Sequence, residues 1–271
     1  MVGPVQKGEV VEHIENQYPA VSHARACQLV RHSRRKKYHK SKMKEKDECI
    51  SAAIKEAIGK RHYGRKKVIV KVLKSHPELS AFRIRRVYVK EGFSLPGKPS
   101  KRIRSVAANP ISIPTEKNQS WHIDFMSDVL VSSRKIRSFN AIDAFNRECI
   151  GIEIDHSLPS VHITRILDQW IEKHGKPASI RSDNGPEFIS KHFKKWLSTN
   201  EIKWEQIRPG NPQENALIER FNGTFRAEVL DANILQNLSH CRKLTDAWIK
   251  EYNQERPHES LNFKTPMEYA A

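Results

Sequence analysis

Trp121-His-Ile-Asp-Phe-Met-Ser-Asp-Val-Leu-Val131 alternates like a half-buried β-strand. Residues 132–135 read as a turn, 136–145 as a second strand, Asn146-Arg147 as another turn and 149–154 as a third strand. Three strands joined by turns this short make an antiparallel meander. The period then changes. Residues 160–174 carry Val161, Ile163, Ile166, Leu167 and Trp170 at helical spacing, 179–182 form a short strand, 188–200 a helix, and 202–207 a strand holding Trp204. A helix from about 211 and a long one over about 237–253 come next. The order β-β-β-α-β-α-β-α specifies a mixed-sheet α/β domain.

The helix after the last strand opens with Arg208-Pro-Gly-Asn-Pro-Gln-Glu-Asn. Asn211 is expected to cap it, Pro212 suits the first helical position, and Glu214 stands where a capping box places its carboxylate. Leu217, Phe221 and Phe225 recur at helical spacing and should face a core. Asn215, Glu219, Asn222 and Arg226 recur on another face, so Glu219 is a carboxylate carried on a rigid element.

Upstream of this domain the composition differs. The chain has 271 residues and a net charge of +17. Residues 1–110 hold 27 Lys and Arg against 9 Asp and Glu, whereas 111–271 hold 21 against 22. The whole basic excess therefore lies in the first 110 residues, as expected of a domain that meets a polyanion. Residues 8–40 read as helical, with Ser22 capping one helix and Ser33 a basic second one that carries Arg34, Arg35, Lys36 and Lys37. After a charged link over 41–46, three more helices are expected over 47–61, 65–73 and 81–91. In the last, Phe82, Ile84, Val87 and Tyr88 should pack while Arg83, Arg85, Arg86 and Lys90 face outward. Three helices with a basic third member suit a DNA reader. Gly92–Arg104 has the Pro, Gly and Lys content of a linker. The expected division is 1–45, a basic helix-turn-helix segment; 46–114, a helix-turn-helix DNA-binding region with linker; 115–236, a catalytic core; and 237–271, a C-terminal helix and tail.

Cys27, Cys49, Cys149 and Cys241 are widely spaced and form no CxxC pair, which argues against a structural zinc or a disulfide framework. No apolar run approaches the roughly 18 residues a membrane span needs. A cytoplasmic protein without a membrane partner is expected.

Phosphoryl chemistry with two divalent cations needs about three converging carboxylates. Three acids stand at suggestive places. Asp124 sits between Ile123 and Phe125 in the first strand, Asp183 ends a strand and enters Asn-Gly-Pro, and Glu219 rides on the helix described above. Taken singly, each also reads as an ordinary solvated acid or turn residue. Asp143, Glu187 and His122 are read as structural neighbours of the candidate site.

Together the three acids and their surroundings carry a resemblance. Trp121-His-Ile-Asp124-Phe, Ser182-Asp183-Asn-Gly-Pro-Glu-Phe188 and Pro209-Gly-Asn-Pro-Gln-Glu-Asn-Ala-Leu-Ile-Glu219-Arg-Phe-Asn resemble the three signatures of the DDE transposases and retroviral integrases. Asp183 and Glu219 enclose 35 residues, Arg226 comes seven after Glu219, and Tyr252-Asn-Gln-Glu-Arg-Pro-His258 with Thr265-Pro-Met-Glu-Tyr269 is similar to the usual ending of the bacterial members. The chain is thus similar to integrase-like insertion-sequence transposases, specifically their catalytic second reading-frame product. The zinc-binding His/Cys front end of the viral enzymes is missing. The resemblance implies a ribonuclease H-like core preceded by an all-α helix-turn-helix region. It implies that Asp124, Asp183 and Glu219 ligate two Mg²⁺ or Mn²⁺ ions and catalyse DNA cleavage and 3′-OH strand transfer. It implies double-stranded DNA as partner, at the element's terminal repeats and at the target, a homo-oligomer in the synaptic complex, and a possible upstream reading-frame product. Arg226 and Asn215 are the expected DNA contacts near the acids. Two other readings stay open: a ribonuclease H-like nuclease or resolvase that only hydrolyses, and a non-catalytic helix-turn-helix regulator.

Overall fold

The computed structural model describes residues 4–34, 42–59, 63–95, 114–208 and 212–270. The meander forms as expected, as β1 (Ser120–Val129), β2 (Lys135–Asp143) and β3 (Cys149–Asp155). Two short strands, β4 (Ser179–Ser182) and β5 (Lys203–Gln206), complete one sheet in the order β3-β2-β1-β4-β5. β1 runs antiparallel to β2, and β2 to β3, while β4 and β5 lie parallel to β1 on its other side. This mixed five-stranded sheet with helices on both faces is the ribonuclease H-like architecture.

The period of two in β1 divides the core. Trp121 and Ile123 point with Phe139, Ala141, Ile150 and Ile180 into one cluster, filled from helix α6 (Ser160–His174) and helix α8 (Lys191–Thr199). Met126 and Leu130 point the opposite way with Ile142, Ile152 and Ile154. There they meet helix α9 (Ala216–Phe225) and helix α10 (Leu238–Gln254), which bring Ile218, Phe221, Phe225, Trp248 and Tyr252. Asp124 belongs to this second face and sits opposite Asn140 of β2.

Two elements depart from expectation. The helix read over 188–200 is two: α7 (Pro186–Ile189) and α8, separated by Ser190 at ψ 147°, whose hydroxyl accepts from Phe193 N at 3.2 Å. A serine that caps from inside an apolar periodic run ends one helix as it starts the next. The helix carrying Glu219 starts at Ala216, after a 3-10 turn over Pro212–Asn215. Asn211, and with it the expected capping box, lies outside the described residues. The Glu214 carboxylate takes Arg208, from the backbone N at 3.0 Å and from Nε at 2.8 Å. α10 is capped as such helices usually are, by Asn237 Oδ1 accepting from His240 N at 2.9 Å.

The first part of the chain is helical. α1 (Pro4–Gln17) and α2 (His23–Val30) pack around Val11, Ala26 and Cys27, with Ser22 capping α2. The basic second helix expected after Ser33, with Arg35, Lys36 and Lys37, falls outside the described residues; Arg34 is exposed at their edge. α3 (Lys42–Ile58), α4 (Arg65–Ser75) and α5 (Ala81–Lys90) enclose Ile50, Ile54, Val68, Val72, Ile84, Val87 and Tyr88. α3 starts at Lys42 and so runs through most of the stretch read as a charged link. Phe82, expected to pack, is 75% exposed. Two residues along a helix turn a side chain by about 200°, so with Ile84 inside, Phe82 faces out. The chain's ending, α11 (Pro266–Ala270), returns toward α4, where Lys74 Nζ meets Glu268 Oε1 at 2.7 Å.

Gly151 of β3 permits a close packing that no motif announces. A Cβ there would lie 2.3 Å from Cε2 of Trp170, the indole of α6 that stacks on Phe139 at 5.3 Å. Gly151→Ala should therefore cost about 1–3 kcal/mol by forcing the indole off the sheet. Urea denaturation monitored by tryptophan fluorescence measures this, and an unchanged midpoint would contradict it.

Candidate active site

Asp124, Asp183 and Glu219 come from three elements that the fold brings to one end of the sheet. Asp124 is half-buried on β1. One carboxylate oxygen accepts from Phe125 N at 2.8 Å and the other from Asn222 Nδ2 at 2.8 Å. Asn222 Oδ1 in turn accepts from Asn140 Nδ2 at 2.7 Å. An Asn140–Asn222–Asp124 chain thus ties α9 to both β1 and β2. Asn222 is buried because it shares a helix face with Ile218 and Phe225, and Asn140 because β2 is covered on both faces.

Asp183 comes directly after the last residue of β4, where the parallel half of the sheet ends. Its Oδ1 accepts from Gly185 N at 3.1 Å, which closes the turn into α7. Glu219 lies on α9 one turn before Asn222, and its side chain, like that of Asp183, is exposed. The carboxyl of Asp124 is pushed up to about 6. Burial is the main cause; the charges of Asp183 and Glu219 add to it, and the hydrogen bonds from Phe125 N and Asn222 oppose it. The charges of Asp183 and Glu219 thus reach Asp124. Among the described residues, no three His, Cys, Asp or Glu side chains stand close enough to chelate a single ion as they are placed. An all-oxygen donor set of this kind suits a hard divalent cation.

The remaining site candidates sort by what they touch. Arg226 caps the end of α9 and reaches across to the outer part of β1, where its guanidinium bonds Asp128 Oδ2 at 3.2 Å and Ser127 O at 2.9 Å. Asp128 lies four strand residues beyond Asp124, roughly 13 Å away, so Arg226 sits to one side of the acids. Asn215 is 5% exposed, and its Oδ1 has no hydrogen-bond partner among the described residues. Arg83 and Arg85 of α5 are exposed, whereas Arg86 is paired with Asp47 of α3. Asp143 lies on the opposite face of the sheet from Asp124 and clamps a turn, accepting from Asn118 N and Phe145 N at 2.7 Å each. Glu187 pairs with Arg137. His122 shares the face of Asp124 but is 5% exposed, and burial, with Arg181 and Arg147 nearby, holds its imidazole down to about 3. It is a neutral core residue.

Asn140 is a site residue that the sequence motifs pass over, although a signal for it exists. A tight hairpin over 132–135 sets a register in which 124 faces 140, and an asparagine opposite an in-strand aspartate marks the partner face.

Known proteins share this arrangement of elements. The integrase core domain matches residues 114–212 and 200–266 of this chain. The uncharacterized 31.7 kDa protein of insertion element IS407 from Burkholderia multivorans is 32% identical over 252 residues, spanning 93% of this chain and 91% of its own length. The transposase for insertion sequence element IS629 of Shigella sonnei is 23% identical over 256 residues, 89% of this chain and 84% of that one. In fold, a chain of the simian T-cell lymphotropic virus intasome in complex with PP2A regulatory subunit B56 gamma is similar with a TM-score of 0.53. It covers 77% of this chain and 71% of that chain at 17% identity. The matches to both segments of the integrase core, joined to near full-length similarity to insertion-element proteins, lead to one conclusion: the chain belongs to the integrase-like insertion-sequence transposases.

Proposed function

We propose that this transposase uses Asp124, Asp183 and Glu219 to hold two Mg²⁺ or Mn²⁺ ions, cuts DNA at the ends of its element, and joins the freed 3′-OH to a second DNA. The observation that carries this reading is the placement of Asp124, half-buried on β1 and bonded to Asn222 of the helix that bears Glu219, with Asp183 at the adjoining end of β4. A carboxylate so placed gains from a cation, and among the described residues Arg226 is engaged with Asp128 and Arg137 with Glu187. Bound there, divalent cations would lower the pKa of the attacking hydroxyl and stabilise the leaving 3′ oxygen. In the joining step one P–O bond forms to the attacking 3′ oxygen and one breaks, so bond number is conserved and no cofactor is consumed.

The chain's own residues supply orientation. Asn222 holds one oxygen of Asp124, and the Gly185 bond fixes Asp183 at the strand end. The exposed Arg83 and Arg85 of α5, with the basic stretch Arg34, Arg35, Lys36 and Lys37, would grip the duplex of the terminal repeats, and Arg226 would take a phosphate on exchanging its bond to Asp128. Two element ends must be held together, so the acting form would be a homo-oligomer, with an upstream reading-frame product as a further partner. The work would be done in the bacterial cytoplasm. No helix among the described residues is long and apolar enough to cross a membrane.

Asp183→Asn should abolish Mg²⁺-dependent joining of a labelled 3′ end to a second DNA while binding to the element ends persists; joining at the wild-type rate would remove the metal-site reading, and products limited to nicks would favour the hydrolase. Asn222→Ala should cost about 1–3 kcal/mol of stability in urea, because it strands the amide of Asn140, and should raise the Mg²⁺ concentration needed for half-maximal joining. A lower stability with an unaltered Mg²⁺ requirement would make Asn222 structural only. DNA affinity of the full chain should fall steeply with salt, and Arg83→Gln with Arg85→Gln should reduce the slope of log K against log salt by about 2 in fluorescence anisotropy. An unchanged slope would take α5 off the DNA.

A further inference from the structure

α5 packs on α3 and α4 with one face and turns the other to solvent. Phe82 is 75% exposed and Val89 53%, although Ile84, Val87 and Tyr88 of the same helix are buried. At about 100° per residue, Phe82 and Val89 fall within about 20° of each other, on the crest opposite that buried trio. Arg85 lies about 60° to one side of Phe82 and Arg83 about 100° to the other. Both arginines are exposed. The outward side of α5 thus has an apolar crest between cationic flanks.

The other two cations of this helix have a different task. Arg86 and Lys90 both reach the buried carboxylate of Asp47 on α3, Lys90 Nζ at 3.3 Å. Those two charges tie α5 to α3 and fix the rotation at which its crest faces out. Exposed apolar side chains scattered singly are ordinary. A phenyl ring and a valine aligned over about 10.5 Å of one helix, with arginines beside them, make a surface of definite chemistry.

That chemistry selects the occupant. A partner helix in a coiled-coil seam requires apolar residues recurring three and four apart, and the positions three and four after Phe82 hold Arg85 and Arg86. An α-helix with its side chains is about 10–12 Å across, and the major groove of B-DNA is about 12 Å wide. In that groove the flanks of a helix meet the phosphate walls and its crest meets the base edges. Thymine presents its C5 methyl group there, and a phenyl ring is among the side chains that make apolar contact with it. Phe82 is the second residue of α5, and the N-terminal residues of a recognition helix are the ones that reach base edges.

We propose that Phe82 is a specificity-determining residue, which packs its ring on the C5 methyl group of a thymine in the major groove while Arg83 and Arg85 hold the phosphates on either side. This rests on the reading of α5 as a helix that grips the element ends. It adds a sequence preference that the arginines, as phosphate contacts, do not supply.

The full wild-type chain selects its preferred sequence from a library of short random duplexes, in Mg²⁺-free buffer. The selected duplex is then remade with deoxyuridine, which lacks only the methyl group, in place of each thymine in turn. One such replacement should lower wild-type affinity about four-fold in fluorescence anisotropy, the value of one buried methyl group. Phe82→Ala should be indifferent at that position. It should keep the wild-type salt slope, because no charge is removed, and the wild-type melting temperature, because the ring is exposed. A library that returns no preferred sequence overturns the proposal, and so does a deoxyuridine scan that weighs equally on both proteins. A Phe82→Ala chain that turns from dimer to monomer in sedimentation, with the scan unchanged, assigns the ring to a second copy of the chain instead. If Arg83→Gln with Arg85→Gln leaves the salt slope at its wild-type value, the reading of α5 falls and this inference with it. A reduced slope with no Phe82-dependent thymine removes this inference alone.

Discussion

The polar chain Asn140–Asn222–Asp124 runs through an apolar layer, and the position of α9 depends on it. Ile218, Phe221 and Phe225 alone would let the helix slide along the sheet, because apolar contacts are non-directional. Two hydrogen bonds inside that layer do not tolerate sliding. A shift of one turn, about 5.4 Å, would leave three buried polar groups without partners, at about 1–3 kcal/mol each. Hydrophobic burial therefore supplies the attraction and the amides supply the register. Glu219, three residues before Asn222, inherits its position from that register.

The rest of the C-terminal half holds α9 against this anchor. Phe221 meets Trp248 at 5.5 Å and Tyr252 at 5.1 Å, and Phe225 meets Trp248 at 5.1 Å, edge to face in each case. Beyond Phe225 the helix widens into a π turn, with Asp231 N bonded to Arg226 O at 2.8 Å. The extra residue rotates the later side chains by about 100°. Arg226, its N–H still bonded to Asn222 O in α register, reaches Asp128 of β1, while within the widened turn Glu228 meets Trp248 Nε1 at 2.9 Å and Arg256 at 2.7 Å. Tyr63 joins the same network, donating to Glu251 at 2.8 Å and lying under the guanidinium of Arg256. The first half of the chain spends some of its positive charge here, with Lys66 on Glu259 and Lys74 on Glu268. Exposed pairs of this kind contribute at most about 1 kcal/mol each, so the more buried Tyr63 contacts carry the docking of α4.

A feature is legible in the sequence when the rule behind it is local. The period of two in 121–131 and the short turns after it are local, and they specify the meander. The three candidate acids are legible because their surroundings are linear words: a mid-strand aspartate, a strand end and a helix start. The partners of those acids are not, because Asn140 and Asn222 meet across 82 residues, and no window of sequence contains both. Ser190 misleads for the opposite reason: its capping bond is local, but apolar periodicity continues across it. Phe82 shows a third limit, since helical spacing says which residues share a face and leaves open which face is covered. α-Helical counting puts Arg226 on the stripe of Glu219, and the π turn changes the counting only for the residues after it.

The burial of the three acids is uneven, and this bears on how the proposed site would stay folded before a cation arrived. Three fully buried carboxylates would each face a desolvation cost of several kcal/mol, and mutual repulsion would add to it. Here only Asp124 is partly withdrawn from water, and it is the one acid given a fixed side-chain donor. Asp183 and Glu219 remain in solvent, where repulsion is screened and where a cation can arrive with its waters. The protein thus concentrates the electrostatic cost on one residue and supports that residue with the same asparagine that sets the register of α9. Stability and the preparation of the proposed site would then be a single arrangement: the hydrogen bond that stops the helix from sliding also fixes the carboxylate of Asp124.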